Sequence, residues 1–148
     1  MRYPRPGRGY LGFFAAVMIT LGACSPVATP APAAPSAGSV SLKPLASEIT
    51  PEQARSMAAS GAFILDVREP SEWEEFHVAN TTLIPLGQLE KRLSEVPRDR
   101  EVIVICRSGN RSTSGRDILA RAGFSSVTSM TGGLLSWRAK GFPTLSGK

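Results

Sequence analysis

Two short apolar runs constrain this chain more than any other feature. Residues 101–105 (EVIVI) are rich in β-branched side chains, which suit extended backbone, and residues 62–67 (AFILDV) are apolar at successive rather than alternate positions. A strand apolar on both faces has to be covered on both faces, which is the situation of a parallel strand sandwiched between helices. The 42% apolar and 20% charged content of the 148 residues fits an ordinary soluble fold and excludes collagen-like, coiled-coil and wholly disordered chains. At this length one globular domain is expected.

Helix signals fall between the strand candidates. Thr50, Pro51 and Gln53 supply an N-cap, a proline at the first helical position and a capping-box partner, and Gly61 stops that helix. Residues 69–75 read as a polar, acidic turn. Residues 83–86 form a second, shorter strand candidate, and residues 86–93 carry apolar side chains at 86, 89 and 93 that suggest a helix before Pro97 breaks the chain. A longer helix runs from Arg111 or Ser112 to about Ala122, with Gly123 as its stop. A strand over 126–130, a turn at Gly132 and Gly133 and a helix over 134–140 complete the series. Strands alternating with helices imply an α/β domain built on a mainly parallel sheet. Such sheets bind ligands beyond the carboxyl ends of their strands, and Cys106 stands at one of those ends.

The first 47 residues cannot join this core. No Asp or Glu occurs before Glu48, whereas Arg2, Arg5 and Arg8 precede an uncharged run of 13 residues, 11–23, as in a secretory leader. A bilayer-spanning helix takes about 20 residues, so export rather than a permanent span is expected. The run ends in Leu21-Gly22-Ala23-Cys24, which resembles the lipobox of bacterial lipoproteins. That resemblance implies that Cys24 becomes a lipidated N-terminus, held by several acyl chains at about 0.8 kcal/mol per buried methylene. Ser25 after the cysteine implies the periplasmic face of the outer membrane in a Gram-negative cell. The alternative is a plain signal peptide with a chance cysteine beyond its cleavage site. Residues 25–47 have prolines at 26, 30, 32, 35 and 44 and no aromatic residue, so they read as an extended spacer. The expected organisation is a leader over 1–23, a lipidated cysteine and linker over 24–48, and a folded domain over 49–145. Without the three leader arginines the 17 basic residues become 14 against 12 acidic ones, a net of +2, too little for a nucleic-acid-binding surface. Two distant cysteines, Cys24 and Cys106, leave no paired metal-ligand spacing and no disulfide framework, and no cofactor is implied.

The chemistry concentrates in Cys106-Arg107-Ser108-Gly109-Asn110-Arg111-Ser112. A cysteine nucleophile acts as the thiolate, the form favoured at helix N-termini and beside cations. Gly109 and Asn110 most easily take tight or left-handed backbone conformations, so successive N–H groups can turn inward as an anion-binding nest. A helix start beside them adds its positive end. Arg107 and Arg111 add two charges, and residues 106–123 carry four arginines against one acid, Asp117. The competing reading of Cys106 is a buried, inert thiol, but packing needs no basic, glycine-bearing loop. The one histidine, His77, reads as structural rather than as a general base, so catalysis would rest on the local field.

Taken together, the residues resemble a known family. Leu65-Asp66-Val67-Arg68-Glu69-Pro70, Glu72-Trp73, His77-Val78, Ile84-Pro85-Leu86, the Cys106 loop, Gly123-Phe124, Gly132-Gly133, Trp137 and Gly141-Phe142-Pro143 occur in the order seen in single-domain rhodaneses. The resemblance covers about residues 49–144 and implies a five-stranded, mainly parallel sheet flanked by helices. It departs at Phe76, where a glycine usually precedes the histidine, at Asn80-Thr81 in place of Gly-Ala, and at Gly115-Arg116 in the helix. It implies sulfur transfer: Cys106 takes the outer sulfur of a donor such as thiosulfate and passes it from a persulfide to cyanide or a thiol. Carried over as the active loop are Arg107, Ser108, Gly109, Asn110 and Arg111, with Arg107 and Arg111 as candidates for the donor's charge. Ser112 is expected to cap the helix, and Asp66 and Arg68 to form an ion pair or support the loop. Trp73, Phe124 and Trp137 are expected to be core or rim aromatics.

Three other readings compete. Related phosphatases and arsenate reductases place five residues between cysteine and arginine, whereas Arg107 to Asn110 make four here, a smaller cradle suited to one sulfur atom. A non-catalytic or sulfur-carrying module would dock a protein partner, with residues 66–75 as a candidate acidic patch. A thiol-redox role lacks a resolving cysteine within reach. The expected partners are a small anionic sulfur donor, a thiophilic acceptor and, through the anchor alone, a membrane.

Overall fold

A computed structural model describes residues 42–147. The leader, Cys24 and most of the spacer lie outside the described residues. Five parallel strands form one sheet in the order β1-β5-β4-β2-β3. They are β1 (Glu48–Ile49), β2 (Phe63–Asp66), β3 (Thr81–Leu83), β4 (Val102–Ile105) and β5 (Val127–Met130). The helices are α1 (Pro51–Ala59), α2 (Pro70–Glu75), α3 (Asn110–Arg121) and α4 (Gly133–Ala139).

The two apolar runs lie at the centre, as expected of strands covered on both sides. In β4, Val102 and Val104 join Leu65, Val67, Leu89 and Leu119 on one face, while Ile103 and Ile105 join Ile64, Ala54, Leu134 and Trp137 on the other. Each of these β4 side chains is almost wholly buried, and full burial of such a side chain contributes about 1.5–3 kcal/mol. Cys106 continues the alternation onto the face of Val102 and Val104. The thiol therefore leaves the strand on the side covered by α3.

The local signals at α1 operate as read. Thr50 Oγ1 accepts from the Gln53 N–H at 3.3 Å, Gln53 Oε1 accepts from the Thr50 N–H at 2.8 Å, and Gly61 leaves the helix at φ +98°. Asn80, at φ +58°, takes the left-handed turn for which glycine is the usual residue, a conformation asparagine tolerates better than most. Gly115 lets α3 approach the sheet, since a Cβ there would stand 3.0 Å from Val104 Cγ1 and 3.3 Å from Val67 Cγ1.

Elsewhere the structure corrects the expected elements. The acidic turn is the helix α2, because Pro70 starts it and the Arg68 guanidinium holds its far end through the carbonyls of Glu72 (2.9 Å) and Phe76 (2.8 Å). The strand expected over 83–86 is displaced to Thr81–Leu83, although the N–H groups of Ile84 and Leu86 still donate to β2 and the residue after it, at Asp66 and Val67. The helix expected over 86–93 is two 3-10 turns, Leu86–Lys91 and Leu93–Glu95. Its apolar residues 86 and 89 recur at three, the 3-10 spacing. α3 starts at Asn110, ahead of Arg111, and Gly133 belongs to α4 rather than to a turn. Ahead of β1, the spacer is already held to the domain. The Lys43 carbonyl accepts from Ser126 Oγ at 2.9 Å, and the Ser47 carbonyl accepts from the Ser129 N–H at 3.0 Å.

Candidate active site

The register of the two central strands builds the site. Asp66 pairs with Ile105 across β2 and β4, so the segments that follow them, 67–75 and 106–111, emerge side by side at the carboxyl edge of the sheet. Cys106 is 1% exposed, and its Sγ accepts a hydrogen bond from the Gly109 N–H at 3.1 Å. Gly109 achieves this at φ +107°, in the left-handed region, as the N-cap of α3. Ser112 is not that cap. It lies in the first turn of α3, wholly buried, with its Oγ donating to the Gly109 carbonyl at 2.7 Å and 3.7 Å from Cys106 Sγ.

A second loop fixes which way the first one faces. The Cys106 and Arg107 carbonyls accept from the N–H groups of Leu134 (2.8 Å) and Leu135 (3.0 Å) at the start of α4. With these two carbonyls engaged by α4, the Gly109 N–H is left to face the sulfur, as an anion nest requires. Gly133 makes the contact possible: at φ +56° it has backbone of the active loop where a Cβ would be, 2.6 Å from the Arg107 carbonyl carbon. Gly109 meets the same turn, since its Cβ would lie 3.1 Å from the Gly132 nitrogen. The glycine pair was legible as a turn, but its role as the loop's backing depends on residues far away in sequence.

The electrostatics differ from the expected cationic mouth. Arg111 is clasped by Glu72 of α2 through two hydrogen bonds, 2.6 and 2.7 Å long, and Arg107 lies 3.5 Å from the Glu75 carboxylate, more exposed. The Arg111 guanidinium holds the Glu72 carboxyl down at about 2, from an ordinary 4.5. Two acids of the acidic stretch thus answer the two loop arginines. Glu72 carried no such signal in the sequence, because its partner lies 39 residues away.

Asp66 and Arg68 form a wholly buried ion pair, with Arg68 Nη2 2.7 Å and Nε 2.9 Å from Asp66 Oδ2. Arg68 also lies over the Phe76 ring, at 5.2 Å from its centroid, and Arg138 lies 4.5 Å from the same centroid. Phe76 is therefore core, filling the place of the usual glycine. His77 stacks on Trp73 at 4.1 Å, with Nδ1 3.1 Å from the Trp73 carbonyl, while Phe124 and Trp137 are buried in the two cores. Ser108 and Asn110 are exposed, two and four residues beyond Cys106.

The parallel α/β domain holds a buried cysteine sulfur, with the Gly109 N–H donating to it, between a strand end and a helix start, which places it in the class of α/β domains with a cysteine loop at the carboxyl edge of the sheet. Within that class the chain belongs to the rhodanese-like family: the family described as "Rhodanese-like domain" matches residues 50–140. Thiosulfate sulfurtransferase GlpE of Pseudomonas syringae is 34% identical over 90 residues, 61% of this chain and 85% of that protein. The putative sulfur carrier protein YrkF of Bacillus subtilis is 39% identical over 77 residues, and the match spans 52% of this chain and 42% of that longer relative. Among solved structures, a rhodanese-related protein from Thermoplasma volcanium superposes with a TM-score of 0.63 at 30% identity, covering 68% of this chain and 98% of its own.

Proposed function

We propose that this protein is a sulfurtransferase that carries sulfane sulfur as a persulfide on Cys106. The observation that carries the reading is the Gly109 N–H aimed at Cys106 Sγ at 3.1 Å, in a loop with only four residues between Cys106 and Arg111. The Cys106 thiolate attacks the outer sulfur of the donor. With thiosulfate, a sulfur–sulfur bond forms at Cys106, the bond to the sulfonate sulfur breaks, and sulfite departs with the electron pair. Cyanide or a thiolate then takes the terminal sulfur, restoring the Cys106 thiolate in a ping-pong cycle. Loop N–H groups stabilise the anionic sulfur in both states, and preorganised donors of this kind cost no reorganisation at the moment of reaction.

Attachment at Cys24 and an envelope location belong to the same proposal and rest on residues 11–25 of the sequence. Export is tested by following acyl-chain incorporation in wild type and Cys24→Ala; equal incorporation removes the anchor from the reading.

The activity is tested with thiosulfate and cyanide on the full chain. Thiocyanate is expected from wild type and none from Cys106→Ser, with no turnover of a phosphoester by either. Comparable rates on the phosphoester would refute the argument from loop size. A Cys106→Ser chain that retains its full biological role would favour a non-catalytic docking module instead.

A further inference from the structure

The pairing of both loop arginines bears on the donor. Around Cys106 the charges of Arg107 and Arg111 are matched by those of Glu75 and Glu72. Once the thiol is ionised, the group of five carries one net negative charge. The side-chain charges of that group then oppose a dianion such as thiosulfate and leave only the loop N–H groups and the start of α3 to attract it, whereas a hydropersulfide, neutral or singly charged, meets little opposition.

The pair between Glu72 and Arg111 is not a loose surface contact. Its side chains are 20% and 34% exposed, and both guanidinium nitrogens at the fork are used. Bidentate geometry of this kind is the strong, geometrically specific form of the interaction. The carboxylate is held ionised over the working pH range by its partner. α2, which carries Glu72, is itself held by the buried Arg68 at the carbonyls of Glu72 and of Phe76 just beyond the helix, so the backbone that presents the acid is fixed.

We infer that Glu72 is a specificity-determining residue: by neutralising Arg111 it turns the site away from dianionic donors and toward sulfane sulfur borne on a thiol. This rests on the sulfurtransferase reading above and narrows its donor class. The favoured first step is attack of the Cys106 thiolate on the outer sulfur of R–S–SH. The new sulfur–sulfur bond forms at Cys106, the donor's own sulfur–sulfur bond breaks, and RS⁻ leaves with the electron pair. The proton stays with the transferred sulfur, and no external oxidant or reductant is consumed.

The test compares two probes on the full-length protein, thiosulfate and an alkyl hydropersulfide with no other ionisable group, read by the mass of one added sulfur on Cys106 and by kcat/KM. Wild type is expected to prefer the hydropersulfide, and its thiosulfate kcat/KM to rise with ionic strength as repulsion is screened. In Glu72→Gln the ratio of thiosulfate to hydropersulfide kcat/KM should rise on the order of tenfold, the effect of one elementary charge on a dianion across a water-exposed site. Glu75→Gln should move the ratio the same way by less, since that pair is longer and more exposed. The inference is overturned if wild type prefers thiosulfate, if its thiosulfate rate falls with salt, or if Glu72→Gln lowers both donors alike, as a purely structural acid would. If neither donor loads Cys106 in wild type, the sulfurtransferase reading itself fails, and the donor inference with it.

Discussion

Replacing Gly133 by alanine tests whether the second loop orients the first. Gly133 sits at φ +56°, and its Cβ would stand 2.6 Å from both the carbonyl carbon and oxygen of Arg107, with the Cys106 carbonyl oxygen closer still. Left-handed backbone costs an L-residue roughly 1–2 kcal/mol, and overpacking typically adds about 1–3 kcal/mol. If the loop holds its position, the domain should lose about 2–5 kcal/mol, a large part of the 5–15 kcal/mol typical of native proteins. If the loop yields instead, the hydrogen bonds from Leu134 and Leu135 to its carbonyls stretch, and the Gly109 N–H turns off the sulfur. Losing one donor aimed at a reacting anion typically costs on the order of 100–1,000-fold in rate. Urea unfolding and single-turnover persulfide formation on Gly133→Ala should therefore show a lowered midpoint, a rate at least about 100-fold down, or both. Gly87→Ala is the control, since a Cβ there meets nothing within 4 Å, and its stability should stay within about 0.5 kcal/mol of wild type. A Gly133→Ala protein with the midpoint and rate of wild type would refute the idea that α4 braces the loop.

Other outcomes follow from the buried and capped positions. Arg68→Met leaves the Asp66 carboxylate buried without its partner and should destabilise by about 3–5 kcal/mol, with part of the loss recovered in the double variant with Asp66→Asn; a neutral single variant in urea unfolding would contradict the buried pair. Because Arg111 depresses the Glu72 carboxyl to about 2 from 4.5, the pair's contribution is complete above pH 4.5 and disappears as the pH falls toward 2. The gap in unfolding midpoint between wild type and Glu72→Gln should accordingly narrow over that interval, and a constant gap would rule out the clasp. Thr50→Ala removes the α1 cap and should lower stability by about 1 kcal/mol, without changing thiocyanate formation.

Much of the fold was legible because its signals are contiguous. The apolar run 101–105, the cap at Thr50, the stop at Gly61 and the basic loop after Cys106 each act on backbone within a few residues. Two elements were misread. α2 read as an acidic turn, although Pro70 starts it and Arg68 holds the carbonyls of Glu72 and Phe76. Residues 86–93 carried a helix-like pattern, yet their hydrogen bonds close at three residues.

From its own residues the chain determined a parallel α/β sheet and a single thiol at a strand end, ahead of a loop able to turn its N–H groups inward. Tertiary structure decided what that thiol faces. Because β2 and β4 are neighbours in parallel register, with Asp66 beside Ile105, the segments leaving them meet, and Glu72 reaches Arg111 across 39 residues of chain. The same folding brings Gly133 against the Cys106 carbonyl. Charge balance and loop direction both arise from contacts between segments, and no local propensity encodes either.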